Sequence, residues 1–230
     1  RYALREKGEI PEFPLAESDR SPIFTVSGRL VGRDSQLATL LSTFDRTAEG
    51  SSELLMVQGH SGIGKSVLVH EVLRTLVARK GLFFYGKYDQ LTMAPFSGLA
   101  GALRGLFKQI LTGSEDRLSS WKARIGAALE DEAWLLFDLL PELEPLLGEQ
   151  AGTLDLDAVN IRKRFDRRLV ALIRAVADAE HPLVIFLDDL QWIDPASIRV
   201  LGHIVNDPDL RHFMLIGAYR SNEVGEAHRL

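Results

Sequence analysis

The sequence predicts an α/β fold in which helices cover both faces of a parallel sheet. Three observations predict it. Short apolar runs of strand length recur at 53–59, 82–89, 182–189 and 213–220. Segments with apolar residues at helical spacing separate them. The gaps between runs are too long for tight hairpins, as crossovers between parallel strands have to be.

Each element follows from its own residues. Residues 1 to about 28 carry Pro11, Pro14 and Pro22 without periodicity, which predicts an extended arm. A helix follows "LVGRD", with Leu37, Leu40, Leu41 and Phe44 on one face and Asp34 as its cap. "ELLMVQG" (53–59) is bounded by turn residues, as a buried parallel strand is. Ser66 to Lys80 reads as a helix, with Leu68, Val69, Val72, Leu73, Leu76 and Val77 covering a broad face and Gly81 stopping it. "LFFYGKYD" (82–89) is a second strand. The span 92–180 is helical. Its stripes are Phe96 to Ile110, Leu118 to Leu129 and Ile161 to Val176, and Pro141 and Pro145 break the middle. "PLVIFLDD" (182–189) is a third strand, Asp194-Pro195 starts a helix, and "FMLIGAYR" (213–220) is a fourth strand.

Composition narrows the function classes. The chain is 46% hydrophobic and 26% charged, enough for a sizeable core. A net charge of −5 gives no whole-chain attraction to nucleic acid or anionic membrane. With no cysteine there is neither a disulfide framework nor a thiolate metal site, which fits a reducing, cytoplasmic setting. No apolar run approaches the ~18 residues of a membrane span. The first residue is Arg1, which predicts a piece of a longer chain.

The segment "VQGHSGIGKSVL" (57–68) carries the chemistry. A serine-hydrolase elbow needs G-x-S-x-G, but Ile63 holds the fifth position after Gly59. A dinucleotide fingerprint needs G-x-G-x-x-G, but Val67 stands at its last position. The phosphate-loop pattern G-x-x-x-x-G-K-[ST] is met in full by Gly59, Gly64, Lys65 and Ser66. Such a loop turns the amides of His60, Ser61, Gly62, Ile63, Gly64, Lys65, Ser66 and Val67 around phosphate oxygens. The following helix points its positive end at the same anion. The Lys65 ammonium reaches the β- and γ-phosphates, and the Ser66 hydroxyl offers Mg²⁺ an oxygen ligand.

Two further groups fit that reading. The third strand ends in Asp188-Asp189, and ligands of such folds sit at the carboxyl ends of strands. Asp188 would face the Mg²⁺ waters, and Asp189 would orient or deprotonate an attacking water. Arg220, ending the fourth strand, is placed as a fixed cation for the γ-phosphate. Other signals are bland. The basic "RKRFDRR" (162–168) reads as a solvated helix face, with a partner or nucleic-acid contact as the alternative. His70-Glu71 lacks the second histidine of a zinc protease, because position 74 is Arg74. Trp121 and Trp134 read as core. Trp192 either packs or shapes the site.

On these motifs the chain resembles the nucleotide-binding domain of signal-transducing ATPases, the AAA-like STAND group of additional-strand P-loop proteins. It is most similar to the "predicted ATPase" module of large bacterial multidomain sensor kinases and transcription regulators. The resemblance spans about residues 8–222, through "GEIPEFPL", "LVGRD", "GHSGIGKS" (Walker A), "VIFLDDLQWIDPAS" (Walker B) and "GAYR" (sensor 1). It implies a three-layer α/β/α P-loop NTPase sandwich with strand order 5-1-4-3-2, the fifth strand missing, and a helical insert at about 92–160 between strands 2 and 3. The implied division is a linker over 1–28 and an ATPase core over 29–230, truncated before the lid and so lacking a lid arginine. Val31 and Arg33 of the start motif are implied to pack on adenine, although Asp34 and Gln36 replace the acids of the family's G-R-E-x-E.

The resemblance implies ATP or ADP with Mg²⁺ as cofactors, slow hydrolysis, and a switch in which the γ-phosphate orders segments that diphosphate leaves loose. The implied partners are other domains of the parent chain, kinase-like upstream and sensor or repeat modules downstream. Nucleotide-dependent self-association is expected too, and membrane and nucleic acid are not. The rival readings are a nucleic-acid-stimulated remodelling ATPase of the same fold, a scaffold that holds nucleotide without cleaving it, and, more weakly, a small-molecule kinase.

Overall fold

The computed structural model describes residues 32–78, 81–91, 94–150 and 158–224. The proposed arm 1–28, Val31, and the side chains of Leu73, Leu76 and Val77 lie outside the described residues. Helix α1 (Asp34–Ala48) leads into β1 (Ser52–Gly59), α2 (Lys65–Ala78) and β2 (Leu82–Lys87). Then come α3 (Ser97–Leu111), α4 (Glu115–Leu129), a 3₁₀ segment (Glu130–Leu136), α5 (Leu143–Leu147) and α6 (Ala158–Val176). The chain continues through β3 (Leu183–Asp188), a 3₁₀ turn (Leu190–Trp192), α7 (Pro195–Val205) and β4 (Phe213–Arg220).

The four strands are parallel, in the order β1-β4-β3-β2. The fold is therefore the α/β sandwich that the sequence predicts, with the helices α3 to α6 between β2 and β3. β3 is buried at every position, as an interior parallel strand covered on both faces is. α3 packs on β2 and β3, and α4 and α6 join it in one core through Leu103, Leu106, Phe107, Ile125, Leu129, Leu169 and Ile173, all at most 1% exposed. Gly86 lets α3 come this close. A Cβ there would sit 1.9 Å from the Gly98 carbonyl oxygen.

Several local expectations change. Asp34 does not cap α1. It is the first helical residue, and Arg33 precedes it without a side-chain cap bond. The second strand stops at Lys87 rather than Asp89: the Tyr88 amide still donates to the Asp188 carbonyl at 3.1 Å while its ring packs against Gly98 of α3, and exposed Asp89 turns the chain by accepting the Leu91 amide. Trp121 and Trp134 are half-buried rather than core residues. The "RKRFDRR" helix face is not simply solvated. Asp166 within it is 4% exposed and takes a two-pronged bond from Arg199, at 2.8 and 3.2 Å. Asp194 does cap α7, accepting from the Ser197 amide at 2.9 Å with Pro195 at the first helical position. Its other oxygen accepts from the Phe96 amide at 3.0 Å and so ties the start of α3 to the start of α7.

The register sets up the site. Gly59 lies opposite Arg220 across β1 and β4, and Lys87 lies opposite Asp188 across β2 and β3. The carboxyl ends of all four strands thus bring the loop after β1, the twin aspartates, Lys87 and Arg220 to one end of the sheet.

Candidate active site

The loop from Gly59 to Ser66 joins β1 to α2. Gly62 and Gly64 take φ of +78° and +89°, which L side chains avoid, so the bend needs glycine at both. The first bond of the α2 ladder runs from the Leu68 amide to the Gly64 carbonyl at 2.9 Å. The amides of Lys65, Ser66 and Val67 therefore precede the ladder, at the positive end of the helix. The Lys65 ammonium lies across the loop and donates to the Gly59 and His60 carbonyls at 2.9 and 3.0 Å. His60 is exposed, and its carbonyl is the part of it that engages the loop.

Ser66 Oγ donates to Asp188 Oδ2 at 2.6 Å, linking residues 122 positions apart. Asp188 Oδ1 accepts the Asp189 amide at 2.9 Å. Asp189 has a left-handed backbone (φ +55°, ψ +44°), so its carboxylate leaves the strand direction. It accepts from Gln191 Nε2 at 2.8 Å and from Arg220 Nε at 3.2 Å, and Lys87 Nζ lies 3.3 Å from its other oxygen. Burial pushes the Asp189 carboxyl up, but the Gln191 bond and the Lys87 and Arg220 cations outweigh it and hold the group below its ordinary range. Glu223 takes a second bond from Arg220 at 2.9 Å. That bond first, and Asp189 next, hold the guanidinium above its ordinary value.

These groups line one open cavity of about 320 Å³. Ser61, Gly62, Gly64, Lys65, Ser66 and Val67 form one wall, and Lys87, Asp188, Asp189 and Arg220 form the other. A second cavity, about 300 Å³, adjoins it on the β1 side and shares Gly64 and Lys65 with it. Its wall is more apolar, with Leu40, Leu55, Met56, Val57, Ile63 and Leu68, joined by Arg33 and Gln36. Arg33 donates to the Ile63 carbonyl at 3.3 Å, so it braces the loop from outside. The loop thus separates a polar cavity from an apolar one, the division that a nucleotide's phosphates and base require. Ser66 and Asp188 supply hard oxygen donors suited to Mg²⁺. No cluster of three or more metal-binding side chains occurs among the described residues.

Ser61 to Val67, Arg33, Asp188, Asp189 and Arg220 line one or other of these cavities, whereas Gly59 and His60 line neither and meet the site through their carbonyls, which accept from Lys65. Trp192 lines neither. It is exposed and faces a separate cavity with Tyr88 and Asp194. Three residues outside the sequence reading meet this cavity or its aspartates: Lys87 lines it, Gln191 bonds Asp189, and Tyr85 lies near enough to feel the charges of Asp188 and Asp189. Lys87 ends an apolar run at the ligand-facing end of a strand, and that position was its signal. Tyr85 packs against Phe186 with ring centroids 5.5 Å apart. Burial, then the Asp188 and Asp189 charges, push its phenol up to about 12.

The chain matches a family model described as "AAA ATPase domain" over residues 29–216. It is similar to the hybrid signal transduction histidine kinase G of Dictyostelium discoideum, 31% identical over 193 residues, 84% of this chain and 6% of that protein. It is similar to histidine protein kinase 1 of Candida albicans, 23% identical over 201 residues, 81% of this chain and 8% of that protein. An uncharacterized protein of Rhizobium meliloti is 28% identical over 180 residues, 77% of this chain and 17% of that protein. The chain therefore spans between 6% and 17% of the length of these relatives. No helix among the described residues is long and apolar enough to cross a membrane.

Proposed function

The chain belongs to the AAA ATPase domain family, and on that premise we propose that it is a STAND-class nucleotide switch of a cytoplasmic multidomain signalling protein, binding ATP and hydrolysing it slowly. One observation carries the reading. The amides and lysine of a glycine loop and the carboxylates of Asp188-Asp189, far apart in sequence, line a single cavity beside an apolar one. Lys65 and the loop amides hold the phosphates. The Ser66 hydroxyl and the Asp188 carboxylate hold Mg²⁺, which when bound offsets phosphate charge. Leu55, Met56, Val57 and Ile63 cover the base, with Arg33 bracing the loop. Asp189, ionised throughout the neutral range, orients and accepts a proton from the attacking water.

Arg220 and Lys87 already hold Asp189, and a γ-phosphate competes for both cations. Its arrival would release the carboxylate and shift the turn through Gln191, which also accepts the Arg220 amide at 3.2 Å. That exchange is the proposed switch, and its output is the packing of neighbouring domains. The same ion pairs favour one second reading, a holder that binds ATP without cleaving it. Nucleotide titration of the chain and of Lys65→Ala, with and without Mg²⁺, tests the binding. Affinity should fall about a hundredfold in the variant, as loss of a charge-assisted contact to phosphate predicts. Equal affinity would refute the site. Phosphate release that Asp189→Ala leaves unchanged would select the holder.

A further inference from the structure

The basic segment 162–168 takes no part in the nucleotide reading. Arg164 and Arg168 within it are ion-paired to Glu132, and Arg168 also to Glu130. Lys163 and Arg167 differ. Neither has a carboxylate partner among the described residues. Arg167 Nε donates only to the Lys163 carbonyl, at 3.4 Å. Lys163, Arg167, Val170, Ala171 and Arg174 recur at the spacing that puts them on one face of α6.

From Arg167 onward, that face is one wall of the largest cavity described, an open groove of about 830 Å³. The other wall is α7, through Ile198, Arg199, Gly202 and His203. Buried Asp166 bonds Arg199 and lies 3.7 Å from His203 Nδ1, so the two helices are pinned side by side and the groove is held open. Val170, Ala171, Ile198 and Gly202 give it an apolar floor, and a Cβ on Gly202 would meet nothing within 4 Å. The two ends differ in charge. Arg174 is paired with both Asp207 and Asp209, two carboxylates for one guanidinium, so that end is net acidic. The opposite end carries the unmatched Arg167, with Lys163 one turn before it.

We propose that this groove receives an amphipathic helix of a protein partner, apolar face down on Val170, Ile198 and Gly202, with acidic side chains at the end facing Arg167 and Lys163. The wall from Arg167 to Arg174 is about 10 Å long at 1.5 Å per residue, the length of two helical turns, and Lys163 lies one turn beyond it. Charge complementarity selects an acidic occupant, and it stands out on a chain whose own net charge is −5. The apolar floor selects a helix over a nucleic-acid backbone. None of these residues lines the loop cavities, so the proposal stands or falls apart from nucleotide binding.

The test uses the 230-residue chain and a labelled synthetic helix with leucines at every third and fourth position and glutamates clustered at one end. Fluorescence anisotropy should show saturable binding that weakens with added salt. Arg167→Glu and Gly202→Trp should each weaken it at least tenfold, at about the scale of a lost interfacial charge or a blocked contact. Circular dichroism and nucleotide affinity should stay unchanged in both variants. No binding up to about 1 mM peptide would overturn the proposal. So would equal binding of the same helix with lysines for glutamates, or a duplex DNA oligomer that displaces the peptide and is itself weakened by Arg167→Glu.

Discussion

The bond between Ser66 and Asp188 gives the sharpest test of the site, because it can be measured before any nucleotide is added. Ser66→Ala removes a 2.6 Å bond to a carboxylate that is 6% exposed. Hydrogen bonds to charged groups contribute about 1.5–3 kcal/mol. Asp188 Oδ1 keeps the Asp189 amide, so one oxygen rather than two loses its partner. Ser66 is only partly buried, and water takes some of its place, so the lower end applies, about 1.5 kcal/mol. In Asp188→Asn the one amide oxygen serves the Asp189 amide and the NH₂ donates to the Ser66 oxygen, a neutral bond of roughly half the strength, costing about 0.7 kcal/mol. Urea unfolding of both single variants and the double variant closes the cycle, with an expected coupling of about 1 kcal/mol. Adding Mg²⁺-ATP at a hundred times its Kd should stabilise the parent by about 2.7 kcal/mol. The Mg²⁺-dependent part of that gain should vanish in both single variants. A Ser66→Ala protein within about 0.3 kcal/mol of the parent, or a coupling near zero, would refute the arrangement.

Three further outcomes follow from the same geometry. The Asp189 carboxyl sits below its ordinary value, so its contribution to stability is full above about pH 4 and is lost as pH falls through the depressed value. Arg220→Ala removes one lowering influence, and acid unfolding followed by circular dichroism should move to higher pH; an unmoved midpoint would contradict the pairing. Gly86→Ala forces a methyl against the Gly98 carbonyl, and chemical denaturation should show a loss of about 3 kcal/mol, whereas a neutral substitution would mean that α3 is free to retreat. Tyr85 and Tyr88 both have phenols pushed up to about 12 by burial first, so ultraviolet titration should show two late-ionising tyrosines and Tyr85→Phe should remove one. The stability tied to each raised phenol is present below about pH 10 and lost as pH climbs through about 12.

The parts of the fold legible in the sequence are those set by local pattern. Phe213–Arg220 is the strand the apolar run marks, and Asp194-Pro195 starts the helix it marks, because capping and burial act within a few residues. The glycine loop was legible for the same reason. The sequence extends the second strand two residues too far because Tyr88 is as apolar as its neighbours and still bonds the Asp188 carbonyl, so nothing local marks the end of the strand where its ring is buried against α3. Lys87 escaped notice because its meeting with Asp189 depends on the pairing of β2 with β3, between segments about a hundred residues apart. The ion pairs of Arg164, Arg168 and Arg199 escaped for the same reason. Charge runs show where cations are, not which distant carboxylates they find.

Strand β1 bonds to β4 on one side and, among the described residues, to nothing on the other. Leu54 and Met56 on it are 47% and 42% exposed. Among the described residues the strand that feeds the glycine loop is thus the outermost rung of the ladder, with a row of amides and carbonyls not taken by any other described strand. Any extended segment that zipped onto that row would lie directly against the base of the loop. Purified material should cluster as concentration rises, and Leu54→Lys should keep it dispersed.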